Sequence, residues 1–120
     1  MGGSGMHRFR KLQVYERSLQ FTKTVRRVAS AFPRDEQFVL SAQFKRAADS
    51  IPLNISEGAG NTSAREFLRF LTYSVRSGYE CLGCLDIALI NSYIGSDQHA
   101  SLDKEIHEII AMLVGLQKSM

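Results

Sequence analysis

The chain has 120 residues, two cysteines, no tryptophan and a net charge of +3, a length that suits one domain. Hydrophobic residues at 44 % with charged residues at 22 % describe a folded chain and exclude a disordered one. No apolar run approaches the ~20 residues of a membrane span, no signal peptide is evident, and two cysteines three apart are no secreted disulfide scaffold, so a cytoplasmic protein is expected.

Met1-Gly2-Gly3-Ser4-Gly5 reads as an expression leader, which leaves residues 6–120 as the domain. Charge is divided unevenly along it. Residues 1–48 hold ten Lys/Arg and three Asp/Glu, whereas residues 49–120 hold five and nine. A basic first half invites a polyanion such as RNA or DNA. It equally suits a head-to-tail assembly in which a basic surface meets an acidic one.

Four helices and no convincing strand are expected. The first runs from about Leu12 to Ala31. Its apolar set (Val14, Tyr15, Leu19, Phe21, Val25, Val28, Ala29, Phe32) covers about half the circumference, wider than the ~100° stripe of a helix that touches one core. Phe32-Pro33 ends it, since proline disfavours helical geometry in the residue before it. Arg34-Asp35-Glu36 then opens the second helix, with acids at its positive end.

The second helix carries the most informative stretch. Leu40, Phe44, Ala47, Ala48, Ile51 and Ile55 share one apolar face. Within roughly an 80° sector beside them fall Gln43, Arg46, Ser50, Asn54 and Glu57. This polar strip reads first as a structural network that fixes register around Pro52, because polar groups beside a core mostly exist to be satisfied; a binding ledge is the other reading. Pro52 lacks an amide donor and crowds the carbonyl of Ala48, so a kink is expected there, with a true break into two helices as the alternative. Gly58 is the expected C-terminal cap, and Gly58-Ala59-Gly60-Asn61 the turn.

Ser63-Ala64-Arg65-Glu66 is a capping box that starts the third helix. Phe67, Leu68, Phe70, Leu71, Val75, Leu82, Leu85, Ala88 and Leu89 face inward, and Ser74, Gly78 and Cys81 are small enough to admit a close neighbour. The pattern fades at Asn91–Gly95. The fourth helix starts at Asp97 or Ser101 and reaches Gln117, with Leu102, Ile106, Ile109, Ile110, Leu113 and Leu116 inward. Short turns between long helices favour antiparallel neighbours, hence an all-α, up-down four-helix bundle.

Little in the chain suits catalysis or metals. Cys81-x-x-Cys84 lacks the second ligand pair of a zinc site and the strand–helix setting of a redox motif, so buried structural thiols are expected. His7, His99 and His107 offer no good helical metal pair; His99 and Asp103 come closest, and solvated surface is the better reading. Glu105 and Glu108 lack the Glu-x-x-His pattern of di-iron bundles, and no serine sits in a nucleophile elbow. No enzyme, metal or cofactor is expected.

Basic residues carry the functional expectation. Arg65, Arg69 and Arg76 fall within about 40° of each other on the third helix. Lys23, Arg26 and Arg27 cluster on the first, and Arg8, Arg10 and Lys11 precede it. Arginine pairs with phosphate bidentately, so a polyanion-binding surface using Lys23, Arg26, Arg27, Arg65, Arg69 and Arg76 is expected. An ordinary solvated face, balanced by Glu66 and Glu80, is the competing reading for any single cluster.

One resemblance covers nearly all of the chain after the leader. It is carried by Phe9-x-Lys11-Leu12-x-Val14-Tyr15, Phe32-Pro33-x-x-Glu36, Leu40-x-x-Gln43-x-x-Arg46-Ala47-Ala48-x-Ser50-Ile51-Pro52-x-Asn54-Ile55-x-Glu57-Gly58, Ser63-x-x-Glu66-Phe67-x-x-Phe70-Leu71 and Gly78-Tyr79-Glu80. These residues resemble the proteins encoded in intervening sequences of bacterial 23S ribosomal RNA genes. Tyr15, where tryptophan is frequent, and Ser56, where alanine is commoner, are mild departures. The resemblance implies an antiparallel four-helix bundle with a continuous, kinked second helix, assembled as a ring-shaped homopentamer without catalytic activity. Relatives include accessory proteins of diversity-generating retroelements, basic pentamers that work with a reverse transcriptase and its RNA. A nucleic-acid-binding homo-oligomer is therefore the leading expectation. The alternative is a structural oligomer whose charges pair between subunits.

Overall fold

The computed structural model describes residues 9–60 and 63–120. The expected leader Met1–Gly5, as well as His7, Arg8 and Asn61 of the expected turn, lie outside the described residues. Four helices follow in order: α1 (Gln13–Ser30), α2 (Leu40–Ala59), α3 (Ala64–Ile90) and α4 (Ser96–Lys118). Short 3-10 turns at Phe9–Lys11 and Arg34–Glu36 precede α1 and α2. No strand occurs among the described residues, and the molecule is an all-α four-helix bundle.

The helices close a square in which α1 touches α2 and α4, α3 touches α2 and α4, and α1 and α3 stand diagonally. Between neighbours, residue numbers rise along one helix as they fall along the other. Gln43 meets Glu80, Ser50 meets Ser77, Ile51 meets Ser74 and Gly58 meets Phe70 across α2 and α3. The α3–α4 seam does the same through Asp86 with His99, Gly78 with Ile110 and Thr72 with Gln117.

The apolar faces read from the sequence meet at the centre. Phe21, Val25, Phe44, Ile51, Ile55, Leu71, Leu85, Ile106, Ile109 and Leu113 are fully buried, each such side chain contributing roughly 1.5–3 kcal/mol against exposure. The wide apolar face of α1 is covered within the chain by α2 and α4. Only Leu19, 42 % exposed, is left out, so that face makes no demand for another subunit.

Two boundaries differ from the sequence reading. Arg34–Glu36 forms a separate 3-10 turn, and α2 begins only at Leu40, after Val39 at φ −118°, ψ −92°. The Gln37 side chain holds this link, donating to the carbonyls of Ala29 (3.2 Å) and Phe32 (2.9 Å), and Tyr93 Oη donates to Glu36 Oε2 at 2.7 Å. At the other end Gly58 is not the cap. The helix runs on to Ala59, and Gly60 follows in right-handed geometry at φ −72°. Gly58 serves close packing instead: a Cβ there would lie 2.6 Å from Phe70 Cβ, a clash no real side chain tolerates. Gly78 likewise admits Ile110.

Candidate nucleic-acid interface

The polar strip on α2 is built around Pro52. The helix is continuous through this proline, although the ring cannot supply the amide that would bond Ala48 O. Side chains knit the adjoining turn. Asn54 Nδ2 donates to Ser50 O at 2.8 Å and Ser50 Oγ at 2.9 Å. Ser74 Oγ of α3 donates to Ile51 O, and Ser77 Oγ to Ser50 Oγ, both at 2.9 Å. Ser50 and Asn54 therefore belong to a network joining α2 to α3. Ser74 and Ser77 are the partners that sequence reasoning missed; their signal was two small polar residues on a long apolar face.

Gln43 and Arg46 lie apart from that network. Gln43 reaches Glu80 only at 3.5 Å. Arg46 is exposed and lines a shallow depression of about 470 Å³ with Asp49, Ser50, Leu53 and Glu80. Glu57 stands exposed near the end of α2. The depression carries charges of both signs, which gives it no preference for an anion.

The six expected phosphate-binding residues fall on two opposite sides. Lys23, Arg26 and Arg27 are exposed on α1, and Arg65, Arg69 and Arg76 on α3, its diagonal counterpart. One strand cannot touch both groups on a single subunit. Within each group, one arginine is already engaged. Arg26 makes a two-pronged bond to Asp49 at 2.7 and 2.8 Å, and this carboxylate raises its pKa. Arg69 pairs with Glu66 at 2.9 Å and lies over the Phe70 and Tyr73 rings at 5.6 and 5.9 Å.

The cap of α3 positions its cluster. Ser63 Oγ accepts from Glu66 N at 3.1 Å, fixing the first turn, and Arg65 and Arg69 then project one turn apart. With Glu66, Leu68, Thr72 and Gln117 they line an open groove of about 600 Å³ between α3 and α4. Its polar floor is ordered, since Gln117 Nε2 donates to Thr72 Oγ1 at 3.0 Å. Two guanidiniums over such a groove can cradle a phosphodiester, with Arg69 oriented by the rings beneath it.

The remaining reactive groups are tied into the fold. Cys81 and Cys84 are free and buried. Burial, then repulsion from neighbouring groups, pushes the Cys81 thiol far up, and Cys84 up to about 11. His99 is not the solvated residue expected: it is half-buried, with Nε2 2.9 Å from Asp86 Oδ1. His107 caps back onto Asp103 of its own helix at 2.9 and 3.3 Å. Arg17 is a further residue the sequence reading passed over. It crosses from α1 to α4 and donates to both Glu105 oxygens and to Glu108. Its hydrogen bond to Glu108, with the attraction of like origin, holds that carboxyl below the usual range.

Residues 10–115 match the family model of the 23S rRNA-intervening sequence proteins. The chain belongs to this family. No curated protein matches it. Among solved structures, it is similar to a protein from Bacteroides thetaiotaomicron, described as a member of the S23 ribosomal protein family with unknown function. The two share 25 % identity over 88 % of this chain and 95 % of the other, with a TM-score of 0.81. In this intervening-sequence protein the matched span takes in the Ser50–Asn54–Ser74–Ser77 network and both basic groups. No helix among its described residues is long and apolar enough to cross a membrane.

Proposed function

We propose that this protein is a non-enzymatic, cytoplasmic homo-oligomer, a pentamer by family resemblance, that binds RNA or DNA through phosphates. The observation that carries the reading is the arginine ridge on α3. Arg65 and Arg76 bracket the ring-stacked Arg69 along one exposed helix face, and the groove beside Arg65 and Arg69 is open to solvent. Affinity comes from repetition, since an oligomer offers the same modest ridge several times along one polyanion. Lys23, Arg26 and Arg27 lie on the opposite side and do not share that contact. The buried, protonated thiols support a role without catalysis. A complex with a reverse transcriptase and its RNA is the setting that the resemblance implies.

Base reading contributes little to this binding. The chain has eleven aromatic residues, seven Phe and four Tyr, and the partly buried Phe67, Tyr15 and Tyr93 are packed on the core, which leaves few platforms for stacking. The test is the triple variant Arg65→Glu/Arg69→Glu/Arg76→Glu against a labelled RNA hairpin. Weaker binding with a flatter salt dependence and an unchanged oligomer mass is expected. Binding equal to the parent would reduce the ridge to a solvated face.

A further inference from the structure

Eight large apolar side chains are exposed among the described residues, and five of them stand just before α2 (Phe38, Val39) or on the second half of α3 (Tyr79, Ile87, Ile90). Tyr79, Gly83, Ile87 and Ile90 recur every three or four residues and so occupy roughly an 80° sector on the outside of α3. Phe38 is 94 % and Ile90 83 % exposed. Gln43 of α2 meets Glu80, so the start of α2, with Val39 and Phe38 just before it, lies level with the second half of α3. Solvated helix faces do not repeat apolar residues at this spacing, and contiguous apolar surface of this kind marks a contact site.

Gly83 is a second, independent sign. After proline, glycine is the poorest residue for a helix interior. Gly58 and Gly78 are each required by a side chain of the same molecule, but a Cβ on Gly83 would meet nothing within 4 Å. The bare backbone in the middle of the stripe fits the close approach of another molecule.

Charge identifies that molecule. Glu80 and the exposed Asp86 flank the stripe. On the diagonal helix, Leu19, Lys23 and Arg27 stand at i, i+4 and i+8 along the exposed face of α1, one apolar residue followed by two cations whose stems can cover apolar surface. We propose that the α3 stripe of one copy is covered by this α1 face of the next, in a head-to-tail contact between copies of the chain. The two surfaces differ and sit on opposite sides, so each copy can use both at once, as a heterologous assembly requires. This inference rests on the homo-oligomer in the reading above and assigns the α1 cations to subunit contact, leaving the Arg65–Arg69–Arg76 ridge to the polyanion.

The experiment is sedimentation equilibrium on the purified chain and five variants, each first checked by its helical melting curve. Ile87→Asp/Ile90→Asp should raise the dissociation constant by at least about tenfold, and Gly83→Leu should do the same. Glu80→Lys/Asp86→Lys and Lys23→Glu/Arg27→Glu should each assemble poorly, yet a chain that carries all four changes should regain assembly, because every head-to-tail contact is then again between opposite charges. A parent that stays a 13.4 kDa monomer at about 100 µM would overturn the oligomer itself. A parent oligomer indifferent to Ile87→Asp/Ile90→Asp would leave the oligomer standing and overturn this interface. Loss of assembly in the apolar variants with no response to the α1 charges would overturn the head-to-tail pairing and point to stripe against stripe.

Discussion

Asn54 braces the turn of α2 that contains Pro52, although the carbonyl that the proline leaves without an amide is that of Ala48. The Asn54 amide holds both Ser50 oxygens in that turn, and Asn54→Ala should cost roughly 1–3 kcal/mol, read as a lower midpoint in urea. An unchanged midpoint with lost ligand binding would instead favour the ledge reading of the strip. Gly58→Ala acts by overpacking, since the new methyl meets Phe70 at its Cβ, near the backbone where little can move; a loss of about 1–3 kcal/mol is expected. Arg17 carries the pH dependence. Its hydrogen bond to Glu108 lowers that folded-state pKa from the ordinary value of about 4.3. The stabilisation is therefore present above that value and is lost as pH falls through the folded pKa. Arg17→Ala should lower the melting temperature only modestly near neutrality, the side chains being half-exposed and screened. The gap in melting temperature between parent and variant should narrow as pH falls below the ordinary carboxylate value and through the lowered folded one.

At the scale of elements, helix existence was legible and helix ends less so. The 3.6-residue period of α1, α2, α3 and α4 follows from where the apolar residues stand, and the buried set confirms those faces. Ser63 also declared itself, as cap residues do; Ser63→Ala should cost about 1 kcal/mol by freeing the Glu66 amide, measurable as a drop in melting temperature. The start of α2 was not legible because it depends on distant partners: Gln37 bonds to Ala29 and Phe32, and Glu36 to Tyr93. Gly58 misled for a related reason. A glycine near a helix end suggests a cap, and only the neighbouring helix reveals that Phe70 needs its space. The basic groups were legible as residues but not as a site, because single-helix angles cannot say which helices are diagonal. The α1–α3 relation, and with it the separation of Lys23 and Arg27 from Arg65 and Arg76, emerges only from packing.

For the whole molecule, the uneven charge along the chain becomes a division of surfaces. α1 turns its cations outward on one side, and α3 combines an arginine ridge toward its start with an acid-flanked apolar stripe toward its end. A ridge that merely balanced Glu66 would be indifferent to ionic strength, whereas phosphate contacts release counterions. The most direct measurement is a salt titration of binding to a labelled duplex RNA, followed by fluorescence anisotropy from about 50 to 200 mM salt. The account predicts that log affinity falls linearly with log salt, with a slope above that of a single ridge of three cations because several copies act together. No detectable binding at the lowest salt, from a protein shown to be folded and assembled, would contradict it and leave an oligomer whose charges serve only its own subunits.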